Sequence, residues 1–422
     1  MGRHRDDSST SVRVPRAVTA AFLLVAVALV AYALHMSRQP LRYVDEQQYL
    51  DIARSLADGS GFSIDGRPSA YRPPAWPLLL SIFVAVGVDG TVLILVSAVA
   101  MIAGAAVAGF LCARLAGSPH GYWASVAILL YPLDFYTAAT LYPQALATLL
   151  ILVLWVVVSA AGDRGVRALS WRVAAVVGLV MAALALSVPT MVFTAGLVGV
   201  WLVIQQRGNR VRFTAITLLF FVIPVALWAA RNDDVLGAPV LFSTTSGENL
   251  VIGNNSSATG SSGVDIVYPP EAIPPDDLTE VERDSYFRDA ATDWILAHPS
   301  EAFGLYLDKV VNYFAPYNEP TTAARGSDAQ KWVATIAFGA IVIGTVTRIA
   351  LRRRVPLAPS EWVFLGIFVA NAPFMALFFT RTRFRQPLDS ILIIEAVVAL
   401  VALGSLAWSA RDRSTADERV TA

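Results

Sequence analysis

The chain carries a single cysteine, Cys112, inside an apolar run, so it can form no intramolecular disulfide and shows no sign of thiol chemistry. Its four histidines, His4, His35, His120 and His298, lie too far apart for metal-ligand spacing. Charge is scarce: 15% of the 422 residues are Asp, Glu, Lys or Arg, where a soluble globular chain usually has about 25%. The two signs balance at 32 residues each, so net charge points to no partner. Also missing are a Walker loop, a dinucleotide fingerprint after a strand, a nucleic-acid motif and an internal repeat. No motif here signals a nucleotide-driven, dinucleotide-dependent or nucleic-acid-binding class.

Apolar length is what the chain has in quantity. It is 56% hydrophobic, with a mean hydropathy of +0.57, and contains several runs near the roughly 20 residues needed to cross a bilayer. An all-α polytopic membrane protein of about ten spans is expected, at 17–35, 91–113, 122–137, 142–159, 172–188, 190–205, 213–230, 332–350, 362–379 and 388–408. The run after the Arg-containing start is longer than a signal-peptide core and no small-residue cleavage site follows it, so it reads as a retained first span.

Charge parity sets the expected orientation. Basic clusters at Arg3–Arg16, Arg114, Arg164–Arg172, Arg207–Arg212, Arg348–Arg354 and Arg411–Arg413 all fall on one side if ten segments cross. The positive-inside tendency makes that side cytoplasmic, with both termini there. The apolar stretch 75–86 is too short to cross and would break the parity, so it reads as an interfacial helix. The expected organisation is a tail at 1–16, a membrane module at 17–230 with an outer loop at 36–90, an outer region at 231–331, C-terminal spans at 332–408 and a tail at 409–422. From Asn232 to Gln330 sixteen acidic residues stand against four basic ones, which suits an outside location. Its first half is expected to be loops with short strands such as Pro239–Ser243; its second half is expected to be helical, broken at His298-Pro299, a small mixed α/β region.

Two constellations carry chemistry. Asp45 and Glu46 follow the first span by about ten residues, and Tyr49, Ala53 and Leu56 continue the pattern as a short amphipathic helix. A carboxylate there either caps the helix or acts as a general base towards a hydroxyl. Between the last two spans, Arg381-Thr382-Arg383-Phe384-Arg385-Gln386-Pro387 sets three arginines on the outer side, against the positive-inside tendency. Such arginines suit bidentate binding of phosphate, or anchor the chain at the interface. Arg72, before Pro73-Pro74, and Arg231-Asn232, at a span exit, can point at the same phosphate. Asp134 is an ionisable group near the outer third of its span, a functional candidate by default.

In this order the residues resemble the polytopic glycosyltransferases of the GT-C fold, nearest the protein O-mannosyltransferase and lipid A aminoarabinose transferase branch (family 39-like). The matches run over about residues 15–405. They are Asp45-Glu46 with Tyr49 and Ala53, Gly59-x-Gly61 with Tyr71-Arg72-Pro73-Pro74, Trp228-x-x-Arg231-Asn232, Ser246-Gly247-x-Asn249-Leu250 with Gly253-Asn254, His298-Pro299, and Arg381-x-Arg383-Phe384-Arg385-x-Pro387. The resemblance implies transfer of a sugar from a polyprenyl-phosphate donor to a hydroxyl acceptor of the cell envelope, with inversion at the anomeric carbon. Asp45 would be the base and Glu46 would orient the acceptor or sugar. Arg72, Arg231, Arg381, Arg383 and Arg385 would hold the phosphate, and Tyr49, Tyr71, Gln144 and Asn249 would line the substrate site. It implies a cell-membrane enzyme with an extracytoplasmic active site and no nucleotide sugar or soluble cofactor. Some relatives bind a divalent metal near the carboxylates; here Gln144, in Leu141-Tyr142-Pro143-Gln144, stands where a carboxylate is often seen and holds a cation poorly. Two other readings stay open: a lipid-binding or flipping protein without the chemistry, and a polysaccharide polymerase or ligase using lipid diphosphates. Reporter fusions after Val88 and after Arg383 are expected to report the extracytoplasmic side, and a cytoplasmic signal at Arg383 would remove the phosphate argument.

Overall fold

A computed structural model describes residues 14–163, 169–260, 268–318 and 327–421, with side chains beyond 409 left aside. The first apolar run forms α1 (Arg16–Met36), and the loop expected outside folds as α2 (Val44–Ala57), a hairpin of two-residue strands β1 (Ser63–Ile64) and β2 (Arg67–Pro68), and α3 (Ala75–Ala85). The module continues through α4 (Ile94–Leu115), α5 (Trp123–Leu130), α6 (Pro132–Thr137), α7 (Gln144–Gly162), α8 (Trp171–Ser187), α9 (Val192–Gln205) and α10 (Arg210–Leu236). Three shorter helices follow, α11 (Ser246–Gly253), α12 (Glu280–Ala297) and α13 (Pro299–Tyr313), before α14 (Asp328–Ala350), α15 (Pro359–Met375) and α16 (Thr382–Thr421).

Among the described residues, six helices are long and apolar enough to cross a membrane: α1, α4, α7, α10, α14 and the 382–409 part of α16. The stretches expected as spans at 172–188 and 190–205 are shorter apolar helices. The stretch expected as one span at 122–137 is broken between α5 and α6, where Tyr131 turns extended ahead of Pro132. Proline disfavours a helical residue before it, so the break is local chemistry. Outer faces of the bundle are apolar, with Leu24 at 72% and Val27 at 66% exposure on α1; such faces suit lipid. Stretch 75–86 is helical, as expected: α3 packs on α2, burying Trp76 and Leu80 and leaving Ile82 and Val86 exposed.

The outer region departs from the mixed α/β expectation. The described residues of 231–331 contain helices and loops but no strand, and Pro239–Ser243 is irregular. Its carbonyls are taken by side chains: the Trp228 indole donates to Phe242 O at 3.0 Å and Asn232 to Val240 O at 2.8 Å. The helical half follows the signals. Thr279 and Glu282 cap α12 reciprocally, and Pro299 at the first position of α13 restarts the chain after His298.

Close backbone approaches explain the Ser246-Gly247…Gly253-Asn254 motif. A Cβ on Gly247 would lie 1.9 Å from Asp284 O, and one on Gly253 would lie 1.8 Å from Phe378 O. Helix α11 therefore touches α12 at one end and the end of α15 at the other. Lys309, fully buried on α13, locks the second contact by donating to Gly253 O (3.1 Å), Asn254 Oδ1 (2.9 Å) and Phe378 O (3.0 Å). Burial pushes its ammonium down to about 8. Gly253→Ala is expected to cost about 1–3 kcal/mol by overpacking, seen as a lowered Tm in detergent. Gly339→Ala, where a Cβ meets nothing within 4 Å on helical α14, should leave Tm unchanged or raised.

Candidate functional site

Helix α2 is aimed by its two adjacent carboxylates, which do different work because neighbouring helical residues point about 100° apart. Glu46 is 2% exposed and points into the protein. One oxygen accepts from the amides of Arg42 (3.1 Å) and Tyr43 (3.2 Å), the other from the amide of Leu141 at 2.8 Å. Glu46 thus caps α2 and pins it to the segment before α7; it does not line the cavity. Glu46, expected beside Asp45 as a catalytic residue, is placed with its two oxygens on three backbone amides and away from the cavity lining.

Asp45 faces the other way, into a cavity of about 1270 Å³ walled by α2, the 71–73 turn, the starts of α7 and α16, α11 and the end of α15. Its Oδ1 accepts from Arg72 Nη2 at 2.6 Å, and its Oδ2 accepts from Arg383 Nη1 at 3.1 Å and from the Tyr142 hydroxyl at 3.0 Å. Arg383 also donates to the Tyr142 oxygen at 2.8 Å, closing a ring of charge-assisted bonds. Arg72 is held by Gln48 Oε1 at 2.7 Å and lies over the rings of Tyr71 and Tyr49, 4.9 and 5.7 Å from their centroids. Burial alone pushes the Asp45 carboxyl up, but the Arg72 and then the Arg383 guanidinium, with the Tyr142 bond, outweigh it and hold the group below the usual carboxylate range.

The arginines divide sharply. Arg381 and Arg383 line the cavity, and Arg383 Nε is buried with no hydrogen-bond partner among the described residues. Burial, then the neighbouring Arg383 charge, pushes Arg381 down to about 10. Arg385 turns inward: it is fully buried, pairs with Asp389 at 2.8 Å, donates to Tyr313 O and Ala315 O, and stacks 4.0 Å from the Phe338 centroid. With Tyr131 donating to Asp389 at 3.0 Å, this network seats the first turn of α16 and so positions Arg381 and Arg383. Arg231 donates to Ser69 O (2.7 Å), Phe62 O and Asn232 Oδ1 (2.9 Å) between the rings of Trp228 and Phe62, outside the cavity lining. Arg231 and Arg385, expected at the phosphate, are both placed off the cavity lining and hold backbone carbonyls.

Of the expected substrate residues, Tyr49, Tyr71, Gln144 and Asn249 all line the cavity. Asp134 is fully buried off the wall, bonded to Gln386. Tyr142 and Glu248 are additions. Glu248 accepts from the Tyr71 and Tyr268 hydroxyls at 2.6 Å each. Both additions sit inside the quoted Leu141–Gln144 and Ser246–Asn249 motifs, and an aromatic hydroxyl beside a proline gives little signal by itself. Lys309 had one signal: a lone cation within the apolar series 303–314.

Six arginines and lysines line the cavity against three carboxylates, so the wall favours an anion. A divalent cation does not fit. Both Asp45 oxygens are occupied by guanidinium groups, Gln144 is neutral, and among the described residues no three His, Cys, Asp or Glu gather into a ligand set. The low carboxyl value fixes a pH response. The folded group titrates below the unfolded value of about 3.9, so its pairing stabilises fully above that value and is lost as pH falls through the lowered one. Thermal scans from pH 7 to 3 should show wild type losing more Tm than Asp45→Asn; parallel curves would contradict the pairing.

No protein-family model matches the chain, and no curated protein matches it. Among solved structures it is similar to "Crystal Structure of ArnT from Cupriavidus metallidurans in the apo state", at 15% identity and a TM-score of 0.42, over 91% of this chain and 78% of that one.

Proposed function

We propose that the protein is an integral-membrane glycosyltransferase that moves a sugar from a polyprenyl-phosphate donor to a hydroxyl acceptor at the extracytoplasmic face. The observation that carries this reading is the Arg72–Asp45–Arg383 arrangement, a carboxylate held by two guanidiniums on the wall of a cationic cavity. The wall continues into apolar Phe374, Met375, Phe378 and Phe379, which suit the isoprenoid next to its phosphate.

The reaction is a single displacement. The acceptor oxygen attacks the anomeric carbon while its proton passes to Asp45. The bond from that carbon to the phosphate oxygen breaks, and the configuration inverts. The departing polyprenyl phosphate gathers negative charge, which Arg383, with its open Nε, and Arg381 are placed to hold in a water-poor site. Asp45 paired with two arginines is a weak base. A donor phosphate competes for the same guanidiniums, and as they turn to it the Asp45 carboxyl value rises towards that of a useful base. Donor binding thus switches the base on.

The double ion pair also favours a second reading, a lipid-phosphate-binding protein in which Asp45 never leaves its arginines. Membranes carrying wild type, Asp45→Asn or Arg383→Gln, given a radiolabelled polyprenyl-phosphate sugar and envelope acceptors, separate the two. Transfer is expected in wild type and a fall of about 100-fold or more in Asp45→Asn, with donor binding retained. Arg383→Gln should weaken both binding and turnover. Equal transfer by wild type and Asp45→Asn would sink the base assignment, and donor binding without turnover in wild type itself would favour the second reading.

A further inference from the structure

Buried polar atoms almost always have hydrogen-bond partners, so those that lack one call for an explanation. Three of them belong to residues on the cavity wall: Gln144 Oε1, Ser187 Oγ and Thr190 Oγ1 are buried with no partner among the described residues. Gln144 and Ser187 are 5% and 1% exposed as whole residues. Gln144 opens α7 and Ser187 closes α8, and these consecutive helices pack along each other, so the two residues lie at the same end of the pair. Thr190 follows at once, in the 3₁₀ turn Pro189–Met191 that leads into α9. Two residues before Gln144, Tyr142 donates to Asp45. The three unpartnered atoms thus belong to residues on the same cavity wall as the reacting carboxylate, on elements separate from the arginines.

Their chemistry is specific. An amide oxygen only accepts, each hydroxyl both donates and accepts, and none of the three side chains is ionised. That set matches a group dense in hydroxyls. These three side chains offer no carboxylate for an ammonium and no cation for a carboxylate. The charged groups of the wall, such as Arg42, Glu248, Asp284, Arg288 and Lys331, stand on other elements, and a charge set against the three would be costly to desolvate. We infer that Gln144, Ser187 and Thr190 seat the glycosyl group of the donor, and that this group is a neutral sugar carrying neither amine nor carboxylate. The inference rests on the lipid-phosphate reading above and adds to it the class of sugar.

A group that serves the fold is bonded within it, and removing it lowers stability. A group held open for a ligand behaves in the opposite way: an apolar isostere removes an unmet polar atom and stability holds or rises. Full-length protein in nanodiscs is to be titrated with bare polyprenyl phosphate, with a neutral panel bearing mannose, glucose or arabinose, and with lipids bearing an amino sugar or a uronic acid. At least one neutral lipid should bind more tightly than both ionised ones. Ser187→Ala and Thr190→Val should each weaken that lipid about five- to tenfold, one hydrogen bond's worth, while bare polyprenyl phosphate binds unchanged and Tm stays level or rises. Tighter binding of an ionised sugar, equal effects on bare and glycosylated lipid, no effect on either, or a lowered Tm would overturn the inference. Failure of wild type to bind even bare polyprenyl phosphate would overturn the lipid-phosphate reading, and this inference with it.

Discussion

One carboxylate holds the site together. Asp45 is shared between Arg72, 27 residues on, and Arg383, 338 residues on, so the loop after α1 and the last helix meet at the cavity wall through a single acidic group. The contact sits where α2, the Tyr71–Pro73 turn and the start of α16 converge, partly shielded from water. Two guanidiniums around one carboxylate leave an excess positive charge, and Arg381 adds to it. A site so arranged is balanced only when an anion arrives. The apolar floor beside it, Phe374, Met375, Phe378 and Phe379, suits the lipid tail of the proposed donor.

The rest of the molecule serves the placement of these groups. Glu46 uses both oxygens to fix the start of α2 to the segment before α7, which orients Asp45. Arg385 and Asp389 form a buried pair that anchors the first turn of α16 to the end of α13, which orients Arg383. Lys309 ties α11 to the end of α15 just ahead of Arg381. Each of these is costly to desolvate, and each is matched by several bonds, as buried charges must be. Removing one partner leaves a buried group unmet, so these residues are expected to matter for assembly of the site more than for the chemistry in it.

Much of this is legible in the sequence. Charge scarcity and apolar length give a polytopic helical chain; Asp45 is picked out by its place after the first span, Arg72 by the Pro73-Pro74 that follows it, and Arg383 by the arginine cluster between the last two spans. What the sequence conceals is helical phase. Reading Arg381, Arg383 and Arg385 as one cluster treats them as neighbours, but once a helix begins at Thr382 residues two apart point about 200° from each other. One arginine of that pair faces the cavity and the other faces the core. Asp45 and Glu46 separate for the same reason. Arg231 shows a different limit: its guanidinium satisfies carbonyls of the Phe62–Ser69 hairpin, a contact across roughly 160 residues that no local pattern announces. At Pro239–Ser243, expected as a strand, the carbonyls of Val240 and Phe242 are bonded by the Asn232 and Trp228 side chains of α10, partners that no local pattern announces.

The central claim is that Asp45 is quenched by its arginines at rest and released by a lipid phosphate. Isotope-edited difference infrared spectroscopy of the Asp45 carboxylate, titrated against pH with and without bare polyprenyl phosphate, tests this most directly. The account predicts a carboxyl value below the ordinary range without the lipid and a clear upward shift when it binds, with the shift absent in Arg383→Gln. An identical titration with and without lipid, in protein shown to have bound it, would contradict the account.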